Sequence, residues 1–80
     1  MADITIDAMG LRCPIPIVRI SRELKKIDSG QTVEVKCDDP AFAEDVKAFC
    51  RITRNKLENL HTHESMFTAV ISKPVSEPEL

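Results

Sequence analysis

The stretch Ile4-Thr5-Ile6-Asp7-Ala8-Met9-Gly10-Leu11-Arg12-Cys13-Pro14-Ile15-Pro16-Ile17-Val18-Arg19-Ile20 changes its hydrophobic period midway, and that change sets the architecture. From Ile4 to Ala8 apolar and polar residues alternate, as on a strand with one buried face. Gly10 punctuates the run and marks a loop. From Pro14 onward the repeat is helical. Ile17, Ile20, Leu24 and Ile27 share a stripe with Val18 beside them, and Arg19, Arg22, Glu23, Lys25 and Lys26 decorate the remainder. Proline is tolerated in a first helical turn, where its missing N–H would have no intrahelical partner. Pro14 and Pro16 therefore put Cys13 at or near a helix cap, and Asp28-Ser29-Gly30 ends that helix.

Beyond Gly30 the alternation returns. Val33, Val35 and Cys37 share one face of a strand over 32–37. Asp38-Asp39-Pro40 reads as a helix start, with capping carboxylates and proline at the first position. Phe42, Val46, Phe49 and Cys50 then follow the spacing of a helix that buries one stripe. Two further strands are expected over Lys56–His63 and Met66–Lys73, joined by a turn at Glu64-Ser65, although Asn59 and Leu60 break the alternation of the first. The order β-α-β-α-β-β predicts an α+β two-layer sandwich, a four-stranded mixed sheet with both helices on one face. Thr5, Glu34 and Lys36 would line its open face. One domain is expected over residues 1–73, followed by a flexible acidic tail over 74–80, where little remains to bury.

Composition narrows the function classes. The chain has 80 residues, a net charge of −2, no Trp or Tyr and three Phe. It is poorly equipped to stack on nucleobases or to attract polyanions, so direct nucleic-acid binding is not expected. No run approaches the roughly 18 apolar residues that span a bilayer, and the N-terminus lacks the basic start and apolar core of a signal peptide. Cys13, Cys37 and Cys50 form neither a Cys-x-x-Cys pair nor a zinc pattern, which suits a reduced cytoplasmic protein with one working thiol. No metal or cofactor is expected. His61 and His63, two apart on one strand face, are too few to build a metal site.

Cys13 is the chemical centre of the sequence. A helix start and the adjacent Arg12 both act to lower a thiol pKa, so moderate activation is expected. Neither histidine is near it in sequence, and a thiol without a base can still exchange sulfur, which needs only a thiolate and access. The competing reading is a small apolar residue at a helix start. Cys37 and Cys50 fall on apolar stripes and read as inert core thiols.

Leu11-Arg12-Cys13-Pro14-Ile15-Pro16, with Asp7-Ala8-x-Gly10 before it and Asp39-Pro40, Asp45 and Phe49-Cys50 after it, resembles the TusA family of sulfur carriers from about Ile4 to Lys73. The resemblance implies a cytoplasmic sandwich whose Cys-Pro-x-Pro cysteine carries sulfane sulfur as a persulfide. Cys13 would be that site, supported by Arg12, Pro14, Pro16, Asp7 and Gly10. The sulfur would come from a cysteine desulfurase or a rhodanese and pass to a DsrE/TusD-like acceptor carrier, the free protein being a monomer. Outlets in such proteins include tRNA 2-thiouridine formation, molybdenum-cofactor assembly and sulfur-oxidation trafficking. Thr53-Arg54-Asn55 stands where many members have Gly-His, and Cys37 where Thr or Ser is usual.

Five of the eleven basic residues, Arg12, Arg19, Arg22, Lys25 and Lys26, fall within one short segment of this acidic chain. They read either as the solvated face of a helix or as a docking patch around the thiol for acidic partners. Two other classes compete with a sulfur carrier. One is a non-catalytic regulatory or transporter-associated binding module with a redox-sensing cysteine. The other is a thiol peroxidase or dithiol oxidoreductase, which the absence of a second nearby cysteine disfavours.

Overall fold

Four strands and two helices form along residues 3–74, the part of the chain that the computed structural model describes. In chain order they are β1 (Ile4–Ala8), α1 (Ile15–Leu24), β2 (Thr32–Cys37), α2 (Phe42–Thr53), β3 (Lys56–His63) and β4 (Met66–Ser72). The sheet order is β1-β2-β4-β3, with β1 parallel to β2 and β4 antiparallel to both its neighbours. β4 thus inserts between β2 and β3, leaving β1 and β3 as the two edges.

One sheet face carries the core. Ile6, Val35 and Ala69 lie in one cross-strand row, Ala8 and Cys37 in the next, and all are buried. α1 lays Pro16, Ile20 and Leu24 against this face, and α2 lays Phe42, Val46 and Cys50. Each set falls at i, i+4, i+8, the stripe a helix turns toward a sheet. Phe42 also meets Phe67 with ring centroids 6.1 Å apart in a tilted pair. The opposite face is polar and open: Thr5 and Lys36 are exposed and Glu34 half-buried. The two-layer α+β sandwich expected from the sequence is what forms.

Local departures have identifiable causes. α1 ends at Leu24 rather than running to Asp28. Ile27 still reaches the core, but from a turn in which Lys26 N–H donates to the Glu23 carbonyl, and Lys73 Nζ donates to the Ile27 carbonyl at 2.9 Å. Gly30, at φ +89°, serves the entry to β2, its N–H bonded to the Lys73 carbonyl. α2 begins at Phe42 with Ala41 as its cap residue, so Asp38 and Asp39 are not its caps and Pro40 is not its first residue. Both carboxylates are spent elsewhere, as described below. The broken alternation of β3 is a β-bulge between Leu57 and Asn59. The extra residue, Glu58, drops out of the pairing, so Leu57 and Leu60 both reach the helix-covered face, opposite Ile71 and Ala69. Ser72 Oγ donates to the Glu58 carboxylate at 2.7 Å. Of the tail expected over 74–80, all but Pro74 lies outside the described residues. Among the described residues no helix is long and apolar enough to cross a membrane.

α2 closes on Arg54 in the left-handed region, at φ 61°. A side chain there crowds its own backbone, which is why glycine favours this position. Arg54→Gly is expected to stabilise the fold by about 1 kcal/mol, read as a higher urea midpoint at unchanged slope.

Candidate functional site

The loop between β1 and α1 carries Cys13, and nearly every polar group in it is tied down. Asp7 Oδ1 accepts the Met9 N–H at 3.0 Å, and the Ala8 carbonyl accepts the Leu11 N–H at 3.2 Å. Gly10 sits at φ +82°, and an added Cβ would meet nothing within 4 Å there. Its glycine is needed for the backbone angle and not for space.

Two adjacent carboxylates at the end of β2 anchor this loop. Asp38 Oδ1 accepts the Gly10 N–H at 2.8 Å and Arg12 Nη1 at 3.0 Å. The Gly10 N–H and then the Arg12 guanidinium hold the Asp38 carboxyl below the usual carboxylate range. Asp39 Oδ2 accepts the Cys13 N–H at 2.7 Å, while its Oδ1 accepts the Ala41 N–H at 3.1 Å. Asp39 is buried, and its own N–H points to Cys37 Sγ at 3.4 Å. The position of Cys13 is therefore fixed from a turn distant in sequence. Its peptide bond to Pro14 is cis, Pro14 is the cap residue of α1, and Pro16 lies in the first turn.

The Cys13 side chain is exposed and opens onto a shallow hollow of about 320 Å³. Pro14 at the α1 cap and Ile17 of α1 border it, with Ala48, Phe49 and Ile52 from α2, and Asp45 is the only charged group on its lining among the described residues. Ile52 on its rim is 76% exposed, and elsewhere on the Cys13 loop and α1 the large apolar side chains Met9, Ile15 and Val18 are also left exposed.

The electrostatics reverse the sequence expectation. The Cys13 thiol is pushed up from its ordinary value, first by the Asp45 carboxylate that shares its hollow, then by partial desolvation and by the charge of Asp39. Arg12 does not activate it, because the guanidinium is spent on Asp38 and the Leu11 carbonyl. The α1 dipole acts in the activating direction, but carboxylates at closer range outweigh it. Cys37 and Cys50 are buried. Burial raises both thiols, Cys50 to about 11.

The basic run does not gather around the sulfur. Arg19, Arg22 and Lys26 line a groove against β1, whereas Lys25 borders a different hollow with Leu24, Phe49 and Asn55. His61 and His63 are exposed on β3, and no group of three or more metal-type ligands occurs among the described residues. Sequence reasoning missed Asp38 and Asp39 as loop anchors, because an acidic pair before proline has the composition of a helix cap. Asp45 was legible as the start of a second α2 stripe: Asp45, Ala48, Phe49 and Ile52 recur at helical spacing beside the core stripe.

One thiol is expected to react with Ellman's reagent in the native protein and three after denaturation. Asp45→Asn removes the anion beside the sulfur, so the thiolate should form at lower pH. Iodoacetamide should then alkylate Cys13 faster at pH 7, with the midpoint of the pH–rate curve moved down. An unchanged midpoint would show that Asp45 does not act on the thiol.

A family model described as Sulfurtransferase TusA matches residues 4–73. Among solved structures, a SirA-like protein from Desulfitobacterium hafniense aligns with a TM-score of 0.77 at 26% identity, covering 89% of this chain and 97% of its own.

Proposed function

This chain belongs to the TusA family of sulfurtransferases, and from that premise we propose that Cys13 carries sulfane sulfur as a persulfide between two protein partners in the cytoplasm. The carrying observation is an exposed sulfur whose backbone is pinned by Asp39 while its surroundings are apolar and open. A shallow hollow lined by Pro14, Ile17, Ala48, Phe49 and Ile52 offers little to enclose a small substrate. It offers much to a protein surface, because exposed apolar patches are where partners bury area.

In the loading step the Cys13 thiolate attacks the outer sulfur of a donor persulfide, R–S–SH. A bond forms from Cys13 Sγ to that sulfur, the donor S–S bond breaks, and R–S⁻ leaves. Sulfur moves with no net oxidation or reduction. In the unloading step an acceptor thiolate attacks the same outer sulfur and Cys13 leaves as thiolate. Neither step needs a metal or cofactor. Asp45 raises the thiol pKa further above neutral, so a partner that brings a cation toward Asp45 would favour the thiolate nucleophile on docking. Asp7, Gly10 and Arg12 act through the loop, and Pro14 and Pro16 aim it. The donor is a cysteine desulfurase or rhodanese and the acceptor a DsrE/TusD-like carrier, serving tRNA 2-thiouridine formation or sulfur-oxidation traffic.

Incubation with a persulfidated desulfurase is expected to add the mass of one sulfur atom to Cys13, reversibly by dithiothreitol. Intact-protein mass spectrometry reads it. Persistence of the adduct in Cys13→Ser, or its absence in the wild type, would contradict the mechanism.

A further inference from the structure

β1 is an edge strand, and an edge strand leaves every second backbone N–H and C=O without a ladder partner. Beside it runs a groove of about 470 Å³ whose floor is β1 from Ile4 to Asp7 and whose wall is Arg19, Arg22, Glu23 and Lys26 of α1 and the turn after it. Glu23 pairs with Lys26 at 3.2 Å. Among the described residues Arg19 and Arg22 have no carboxylate within ion-pair distance, and both are exposed. They lie three apart on α1, so both guanidiniums face the same side. In a chain of net charge −2, unpaired arginines concentrated along a free strand edge mark a built surface more than a solubilising one.

We propose that this groove takes an extended acidic segment of a sulfur-relay partner, which adds to β1 as a fifth strand while its carboxylates pair with Arg19 and Arg22. Strand addition supplies main-chain hydrogen bonds, and side-chain pairs set the specificity. Guanidinium favours this role because it binds carboxylates bidentately. The location gives the contact a purpose. α1 returns antiparallel to β1, so the groove runs from Lys26 and Ile4 to Arg19 and Asp7, and Asp7 holds the first turn of the Cys13 loop. A partner gripped here approaches the thiol along the strand without covering the apolar hollow, which stays free for the sulfur-bearing group. A nucleic-acid strand fits less well, since the lining offers no aromatic ring for base stacking. The inference rests on the sulfur-carrier reading for the partner's identity, but not for the groove.

The test uses the full chain, ¹⁵N-labelled, titrated with a blocked peptide of alternating Glu and Val. Amide shifts are expected in Ile4–Asp7 and along α1 near Arg19 and Arg22. Binding should weaken with added salt, fall about tenfold or more in the Arg19→Glu, Arg22→Glu double variant, and stay unchanged in Cys13→Ser. The double variant should still accept sulfur on Cys13 from a small persulfide such as glutathione persulfide, while loading from the protein donor slows. Shifts confined to the Cys13 hollow, no binding, or tighter binding of oligouridylate than of the peptide would each overturn the proposal. Failure of Cys13 to accept sulfur from glutathione persulfide would count against the carrier reading, whatever the peptide does.

Discussion

Two adjacent carboxylates at the end of β2 hold the functional loop, and the rest of the site depends on them. Asp38 gathers the Gly10 N–H and Arg12, and Asp39 holds the Cys13 N–H together with that of Ala41. The sheet makes this possible. β1 and β2 are parallel and in register from Ile4↔Val33 to Ala8↔Cys37, so the chain leaves both strands at the same end and the same level. A loop of six residues and a turn of four then meet side by side. The Asp39 bonds to the Cys13 and Ala41 N–H groups are partly shielded from water, where a hydrogen bond contributes about 0.5–1.5 kcal/mol, so the clamp supports the fold as well as the site. Among the described residues every buried side-chain polar atom has a partner.

Asp45 on α2, with Asp39 of the clamp, sets the character of the thiol. A helix start and a neighbouring arginine would ordinarily make a reactive cysteine. Here the arginine is taken by Asp38, and the nearest charges to the sulfur are negative. A thiol that rests protonated resists adventitious oxidation and is a better nucleophile once ionised, since nucleophilicity rises with pKa. Those are useful properties under the proposed role, in which sulfur arrives from a bound donor.

Much of the fold was legible because the chain's periods are clean. β1, β2 and β3 take the residues their alternation indicated, and the stripes Ile20–Leu24 and Phe42–Val46–Cys50 face the core. Failures occurred where one residue type serves two physical purposes. Asp38-Asp39-Pro40 has the composition of a helix cap, and only tertiary contact shows the carboxylates turned toward a loop 26 residues earlier. Leu57 and Leu60 spoil a period of two, and a bulge is the one strand geometry that reconciles them. Arg12 was adjacent to Cys13 in sequence yet directed away from it in space, a distinction no linear reading contains. A helix also distributes consecutive cations around its axis, so Arg19, Arg22 and Lys26 line one groove while Lys25 borders a different hollow.

In the proposed mechanism Asp39 positions the Cys13 loop for sulfur transfer between proteins and does not merely stabilise the fold. Single-turnover transfer from a persulfidated desulfurase to Asp39→Asn, at a temperature where the variant is fully folded, tests it directly. Transfer is expected to slow markedly while iodoacetamide alkylation of Cys13 is unchanged or faster, because the sulfur loses its placement but also a nearby negative charge. Transfer at the wild-type rate would contradict it.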